Sequence, residues 1–159
     1  MQLTRFTDYG LRILIYLAVL PDGRLASIEE VCQAFDLPRN HINKIVHLMG
    51  RLGWVLTRRG KGGGICLALP PEAINLGEVV LALEGQGPLI DCEQPRCALL
   101  PVCRLKGVLA EAMEAFVTAL SRHTLDSLVG PCQGQIRQRL LRSDFHVLEN
   151  LVQTTLDRV

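Results

Sequence analysis

The residues best placed to do chemistry are three cysteines within twelve positions, Cys92, Cys97 and Cys103, in the segment Asp91-Cys-Glu-Gln-Pro-Arg-Cys-Ala-Leu-Leu-Pro-Val-Cys-Arg104. Disulfide pairing within this segment would leave one thiol over, whereas three thiolates together make most of a metal site. Zinc is the first candidate. Structural zinc sites, however, usually hold close Cys-x-x-Cys pairs, and the gaps here are four and five residues with Pro95 and Pro101 inside them. That wider loop suits a bulkier iron-sulfur cluster. A redox thiol switch is a third option, with Arg96 and Arg104 near enough in sequence to favour a thiolate.

A tetrahedral site needs a fourth donor, and none of the other cysteines lies near in sequence. Oxygen, nitrogen or solvent must complete it, and the carboxylates to consider are Asp91, Glu93 and the distant Asp8. The two local ones point away along the same short loop. A hard oxygen on a soft cluster iron would make that iron the most replaceable position, open to a small diatomic molecule.

A second pattern is electrostatic. Between Arg39 and Lys61 stand six basic residues, Arg39, Lys44, Arg51, Arg58, Arg59 and Lys61, and no acidic one, although the whole chain carries a formal charge of only +1. A nearly neutral protein with one locally basic face suits a polyanion. The remaining cysteines, Cys32, Cys66 and Cys132, are scattered and are expected to pack as small hydrophobes. Cysteine use of this kind fits a reducing compartment, and the protein is expected to be cytoplasmic, with no membrane. The apolar run Leu11 to Leu20 is broken by Arg12, preceded by Asp8 and followed by Pro21-Asp-Gly23, so it does not read as a secretory signal.

These residues need elements to position them. Apolar spacing predicts a first helix over about Thr4 to Leu20, with Phe6, Tyr9, Ile13, Leu14 and Leu17 on one stripe and Asp8 favoured in its first turn by the helix dipole. Ser27 and Glu30 form a capping-box pattern for a short helix, and Asp36-Leu-Pro38 makes a turn. A second helix then starts near Pro38 or Arg39. Its inward stripe is Ile42, Ile45, Val46, Met49 and Leu52, and its outward face carries Arg39, Asn40, His41, Asn43, Lys44 and His47. Trp54 to Thr57 and Ile65 to Leu69 read as strands around a Gly-rich basic turn, completing a winged helix-turn-helix. In such a fold Arg39 can pair with guanine, Asn40 with adenine and Lys44 with phosphate, while Arg58, Arg59 or Lys61 serve from the wing. The glycine run is no nucleotide-phosphate loop, because Lys61 is followed by Gly62 rather than Ser or Thr.

Further on, Asn75 and Glu78 suggest another capping box, and Gly85 to Pro88 opens the cysteine loop. A long helix over about Pro101 to Leu120 carries Leu105, Val108, Leu109, Ala112, Met113, Phe116, Ala119 and Leu120, enough for a homodimer seam as well as packing on the first helix. Gln135 to Val159 has the pattern of one or two amphipathic helices. The expected fold class is therefore mainly α. Residues 1–84 form a winged helix-turn-helix DNA-binding domain with a two-stranded wing, 85–104 a cysteine-rich loop, 105–142 a dimerisation helix with its following segment, and 143–159 a tail of no assigned role.

Four stretches together resemble a known family: Leu3-Thr-Arg-Phe-Thr-Asp-Tyr-Gly-Leu-Arg12, Arg39-Asn-His41 with Lys44, Arg59-Gly-Lys-Gly-Gly-Gly64, and Asp91-Cys92 through Cys97 to Cys103-Arg-Leu-Lys106. Over about residues 1–142 the chain is similar to the iron-sulfur winged-helix repressors, and within them to the nitric-oxide-sensing NsrR group. The resemblance implies a homodimer that binds one iron-sulfur cluster per subunit, four-iron or two-iron, through Cys92, Cys97 and Cys103. It further implies the partner subunit's Asp8 as the oxygen ligand, with Arg12 nearby. Relatives that regulate cluster assembly carry a histidine three residues after the last cysteine, where this chain has Lys106.

The expected function is that of a repressor whose cluster-bound form holds a palindromic operator in double-stranded DNA until nitric oxide nitrosylates the cluster. An iron or redox sensor using the same cysteines, or a structural zinc, is the alternative. An electron-transfer or enzymatic iron-sulfur protein is disfavoured. There is no nucleotide motif and no Ser/His/Asp set, and of four histidines two, His41 and His47, sit on the DNA-reading face.

Overall fold

The computed structural model describes residues 2–141 except 86, 88 and 101. Helix α1 spans Arg5–Ala18, shorter at both ends than its apolar run suggests. Thr4 stops it by capping: its hydroxyl accepts from Thr7 N at 3.3 Å, and its own amide donates to Glu84 Oε1 at 2.6 Å, tying the start of this helix to a distant one. Ile13 and Leu14 are fully buried, and Phe6 and Tyr9 pack at the edge of the core.

Helix α2, Ile28–Phe35, opens on the expected capping box of Ser27 and Glu30 and ends at Asp36 in a left-handed conformation. Helix α3, Arg39–Arg51, follows directly from Pro38. Ile42, Ile45, Val46 and Met49 are buried as their spacing requires, but Leu52 is 41% exposed. Leu52 caps the helix, and the chain turns at Gly53 before the inward stripe can extend to it.

Strands β1, Val55–Arg58, and β2, Gly64–Leu67, pair antiparallel with Val55 opposite Leu67 and Arg58 opposite Gly64. The residue before the α2 cap extends this wing: Ala26 and Ile65 exchange both backbone hydrogen bonds, at 2.9 and 2.7 Å. This explains the glycine run in part. A Cβ on Gly64 would stand 2.6 Å from Ala26 O, and Gly60 and Gly62 occupy positive φ in the turn. The turn and its anchor demand these glycines before any approach to DNA does.

Helix α4, Leu76–Glu84, is capped by Asn75, whose Oδ1 accepts from Gly77 N and Glu78 N. The reciprocal half of the expected box is absent among the described residues. Instead Asn75 Nδ2 donates to Ser121 O at 2.7 Å, fastening α4 to the end of α5. Helix α5 is Leu105–Leu120, starting some four residues later than the sequence suggests; Pro101 itself lies outside the described residues. It packs on α4, not on α1 as expected, and none of its residues is buried.

Helix α6, Leu125–Val129, has no counterpart in the sequence reading. Thr124 and Ser127 cap it reciprocally, and Leu125 and Val129 plug the core beside α1. Helix α7, Gln133–Leu140, realises the first part of the amphipathic segment; Val147, Leu148, Leu151, Val152, Leu156 and the expected tail from residue 143 lie outside the described residues. No helix among the described residues is long and apolar enough to cross a membrane.

Candidate functional site

The cysteine loop is built from short-range turns. Asp91 Oδ1 accepts from Glu93 N at 2.8 Å and Gln94 N at 3.1 Å, which folds the chain back so that Cys97 N donates to Cys92 O at 3.0 Å. A second turn places Cys103 N 2.8 Å from Leu99 O. All three thiols are free and half-buried. Asp91 Oδ1 is thereby committed to its own turn.

Among the described residues no group of three or more Cys, His, Asp or Glu side chains comes together closely enough to hold a metal. A single protomer thus does not bring Cys92, Cys97, Cys103 and Asp8 into one site. The donor chemistry nevertheless fits a cluster: three soft sulfur donors on a loop closed by its own backbone turns.

Asp8 is held by the first turn of α1. Its Oδ1 accepts from Arg12 Nε at 2.8 Å, an i,i+4 pair with both side chains 43% exposed. The hydrogen bond it donates to Asp8 raises the Arg12 guanidinium above its ordinary range, against the lowering effect of partial burial. Asp8 Oδ2 keeps no hydrogen bond among the described residues and remains a donor atom to spare.

From this helix two contacts lead towards α3. The Arg12 guanidinium stands 6.0 Å from the ring centroid of Phe35, the last residue of α2, and Phe35 meets Tyr16 edge-on at 6.2 Å. Tyr9, next to Asp8, lies 6.1 Å from the ring of His41 on α3. Sequence spacing gives no hint of either contact, since both join helices far apart in the chain.

Arg39, Asn40, His41 and Lys44 are all exposed on the outer face of α3, as are Arg58, Arg59 and Lys61 on the wing. The fold brings Arg39, Arg58 and Arg59 around one cleft between α3 and the wing, which Asn43, His47 and Glu29 also line. Glu29 is the unforeseen member. Its Oε2 accepts from Arg39 Nη1 and its Oε1 from Gln33 Nε2, each at 3.3 Å.

Of the scattered cysteines only Cys32 is core, and burial, reinforced by the charge of Glu29, pushes its thiol up. Cys66 and Cys132 are half-exposed, because Cys66 sits on the two-stranded wing and Cys132 on a surface turn.

A family model described as Rrf2, iron-dependent transcriptional regulator, matches residues 3–131. Among solved structures, Staphylococcus aureus CymR shares 23% identity over 79% of this chain and 95% of its own, with a TM-score of 0.62. The B. subtilis CymR, described as that organism's global cysteine regulator, gives 23% over 82% and 97%, with a TM-score of 0.57. T. potens IscR gives 19% over 82% and 88%, with a TM-score of 0.66. At these identities the likeness is one of fold.

Proposed function

The chain belongs to the Rrf2 family of transcriptional regulators, whose members bind DNA and are typically dimeric, and on that premise we propose that it is a nitric-oxide-sensing repressor of the NsrR type. Cys92, Cys97 and Cys103 hold an iron-sulfur cluster, and the partner subunit's Asp8 completes it. The exposed apolar stripe of α5, including Leu105 at 54% and Val108 at 58%, is the homodimer seam. Held by Cys92, Cys97, Cys103 and the partner's Asp8, such a cluster would supply iron able to bind nitric oxide.

One observation carries this reading: the helix that bears Asp8 and Arg12 also touches the DNA-reading helix through Tyr9 and His41, and the end of the helix before it, α2, through Arg12 and Phe35. While Asp8 is anchored in the partner, α1 is fixed at its N-terminal end, and with it the placement of Phe35 and His41. Once Asp8 is released, α1 settles into the arrangement of the cluster-free protomer, with Arg12 on the carboxylate and both contacts made, so the two states differ in how α1 holds His41 and Phe35. The spacing of two recognition helices over successive major grooves tolerates little such change.

Fluorescence anisotropy tests this with anaerobically purified, cluster-loaded protein on duplexes selected from a randomised pool, before and after nitric oxide. Release of at least about a hundredfold in affinity is expected, some 2.8 kcal/mol per dimer. Equal affinity in the two conditions overturns the proposal. Sensing of iron supply through the same thiols is the second reading, favoured by the iron-dependent description of the family. There an iron chelator, rather than nitric oxide, changes DNA affinity. Colourless protein with stoichiometric zinc contradicts both.

A further inference from the structure

The cleft between α3 and the wing is otherwise basic, yet it contains a carboxylate. Glu29 lines it beside Arg39, Arg58 and Arg59. A surface entering the field of DNA phosphates loses affinity for every negative charge it carries there. Glu29 gains from the helix dipole in the first turn of α2, but it is not needed for the cap, which Ser27 and Glu30 complete. Its two oxygens are instead divided between Gln33, one turn along the same helix, and Arg39, the first residue of α3. Gln33 fixes the carboxylate, and the carboxylate fixes the guanidinium.

We infer that Glu29 is a positioning residue for base reading: it holds Arg39 in the orientation that pairs with one base edge, giving up backbone affinity for selectivity at that base pair. The inference rests on the DNA-binding reading and is independent of what the cysteines bind. An arginine left unsupported has many rotamers within reach of phosphate, and phosphate contacts carry no sequence information. Paired to Glu29, it keeps the Nη2 edge of its fork for a guanine O6 and N7. The pair is exposed, 66% on Arg39 and 54% on Glu29, so it is weak in the free protein and gains strength only where DNA excludes water.

The test is selection of duplexes from a randomised pool by full-length wild type and by Glu29→Gln, each as purified anaerobically with whatever its cysteines carry, followed by affinity measurements on the winning sequence and on a scrambled duplex. Glu29→Gln removes the charge and keeps the size of an exposed side chain. It should flatten base preference at one symmetry-related position per half-site and leave the others unchanged. Affinity for the scrambled duplex should rise, and the ratio of selected to scrambled should fall about fivefold or more. Arg39→Ala should flatten the same position, and Glu29→Gln should add nothing to that loss of preference in the Arg39→Ala background. Identical base preferences for wild type and Glu29→Gln overturn the inference, as does flattening at a position Arg39→Ala leaves intact. Failure of the wild type to enrich any sequence is a different result, and removes the DNA-binding reading with it.

Discussion

Removing the Asp8 carboxylate separates a structural role from a sensing role, because the structure bounds what the residue contributes to folding. Asp8 makes one ion pair, to Arg12 at 2.8 Å, with both side chains 43% exposed. Solvent screens such an i,i+4 pair, which contributes about 0.3–0.5 kcal/mol. Its place in the first turn of α1 adds a similar amount through the helix dipole. Asp8→Ala should therefore destabilise the cluster-free protein by no more than about 1 kcal/mol, a Tm loss of roughly 2–4 °C by circular dichroism. The loaded protein should behave quite differently. Anaerobic absorption should change with the ligand, and the fall in DNA affinity on adding nitric oxide should shrink at least about tenfold, equivalent to some 1.4 kcal/mol. Arg12→Ala is the companion variant: it keeps the carboxylate but loses the contact with Phe35, so the spectrum should persist while the DNA response weakens. If Asp8→Ala leaves spectrum and response unchanged, the cross-subunit ligand is wrong. A Tm loss above about 8 °C would instead show that its structural role has been underestimated here.

Alanine at Arg58, Arg59 or Lys61 should weaken binding about equally on all duplexes and lower the salt-dependence slope by about 1 each, whereas Asn40→Ala should relax base preference at one position; anisotropy against salt concentration separates the two. Gly77→Ala should cost about 2–3 kcal/mol in thermal unfolding, because a Cβ there runs into Ser121 Oγ and stands 2.9 Å from Val117 O, where α4 sits on the end of α5. The Cys32 thiol, pushed up by burial, stays protonated in the folded chain at a pH where the unfolded chain ionises. Its contribution to stability is full below the ordinary thiol range of about 8.5 and is lost as pH rises beyond it. Cys32→Ala should accordingly flatten the alkaline fall in Tm, and in wild type Cys32 should be the last of the six thiols to react with iodoacetamide.

What was legible in the sequence followed from short-range rules. The capping box of Ser27 and Glu30, the buried face of α3 and the pairing of two strands around a Gly-rich turn are each encoded within a dozen residues. The differences arise where distant segments meet. Asn75 caps α4 through Oδ1, but Glu78 returns no bond to it among the described residues, and Asn75 Nδ2, which a capping box leaves free, donates to Ser121 O forty-six residues away, fastening α4 to the end of α5. Leu125 and Val129 were overlooked since α6 is only five residues long, too short to show a period, though its Thr124/Ser127 cap was a visible signal. The same distinction runs through the site. Cysteine spacing and basic residues are local patterns, while Tyr9 against His41, Arg12 over Phe35 and Glu29 on Arg39 exist only once the helices have packed.

Those packed contacts also limit how large a response one protomer can deliver. A ring contact of the Tyr9–His41 kind and a partly exposed cation–π contact such as Arg12–Phe35 are each worth about 0.5–1 kcal/mol. A change of state that makes or breaks both in one protomer shifts its preference by about 1–2 kcal/mol, close to a tenfold effect on DNA affinity. Release by a hundredfold needs about 2.8 kcal/mol, which two protomers supply together and one does not. A dimer with a single relaxed subunit would then keep intermediate affinity, and release would steepen only as the second subunit follows. On this account the homodimer is a requirement of the response as well as of the two-fold operator: the contacts inside each protomer are too weak to act alone, and their sum across the α5 seam is sufficient.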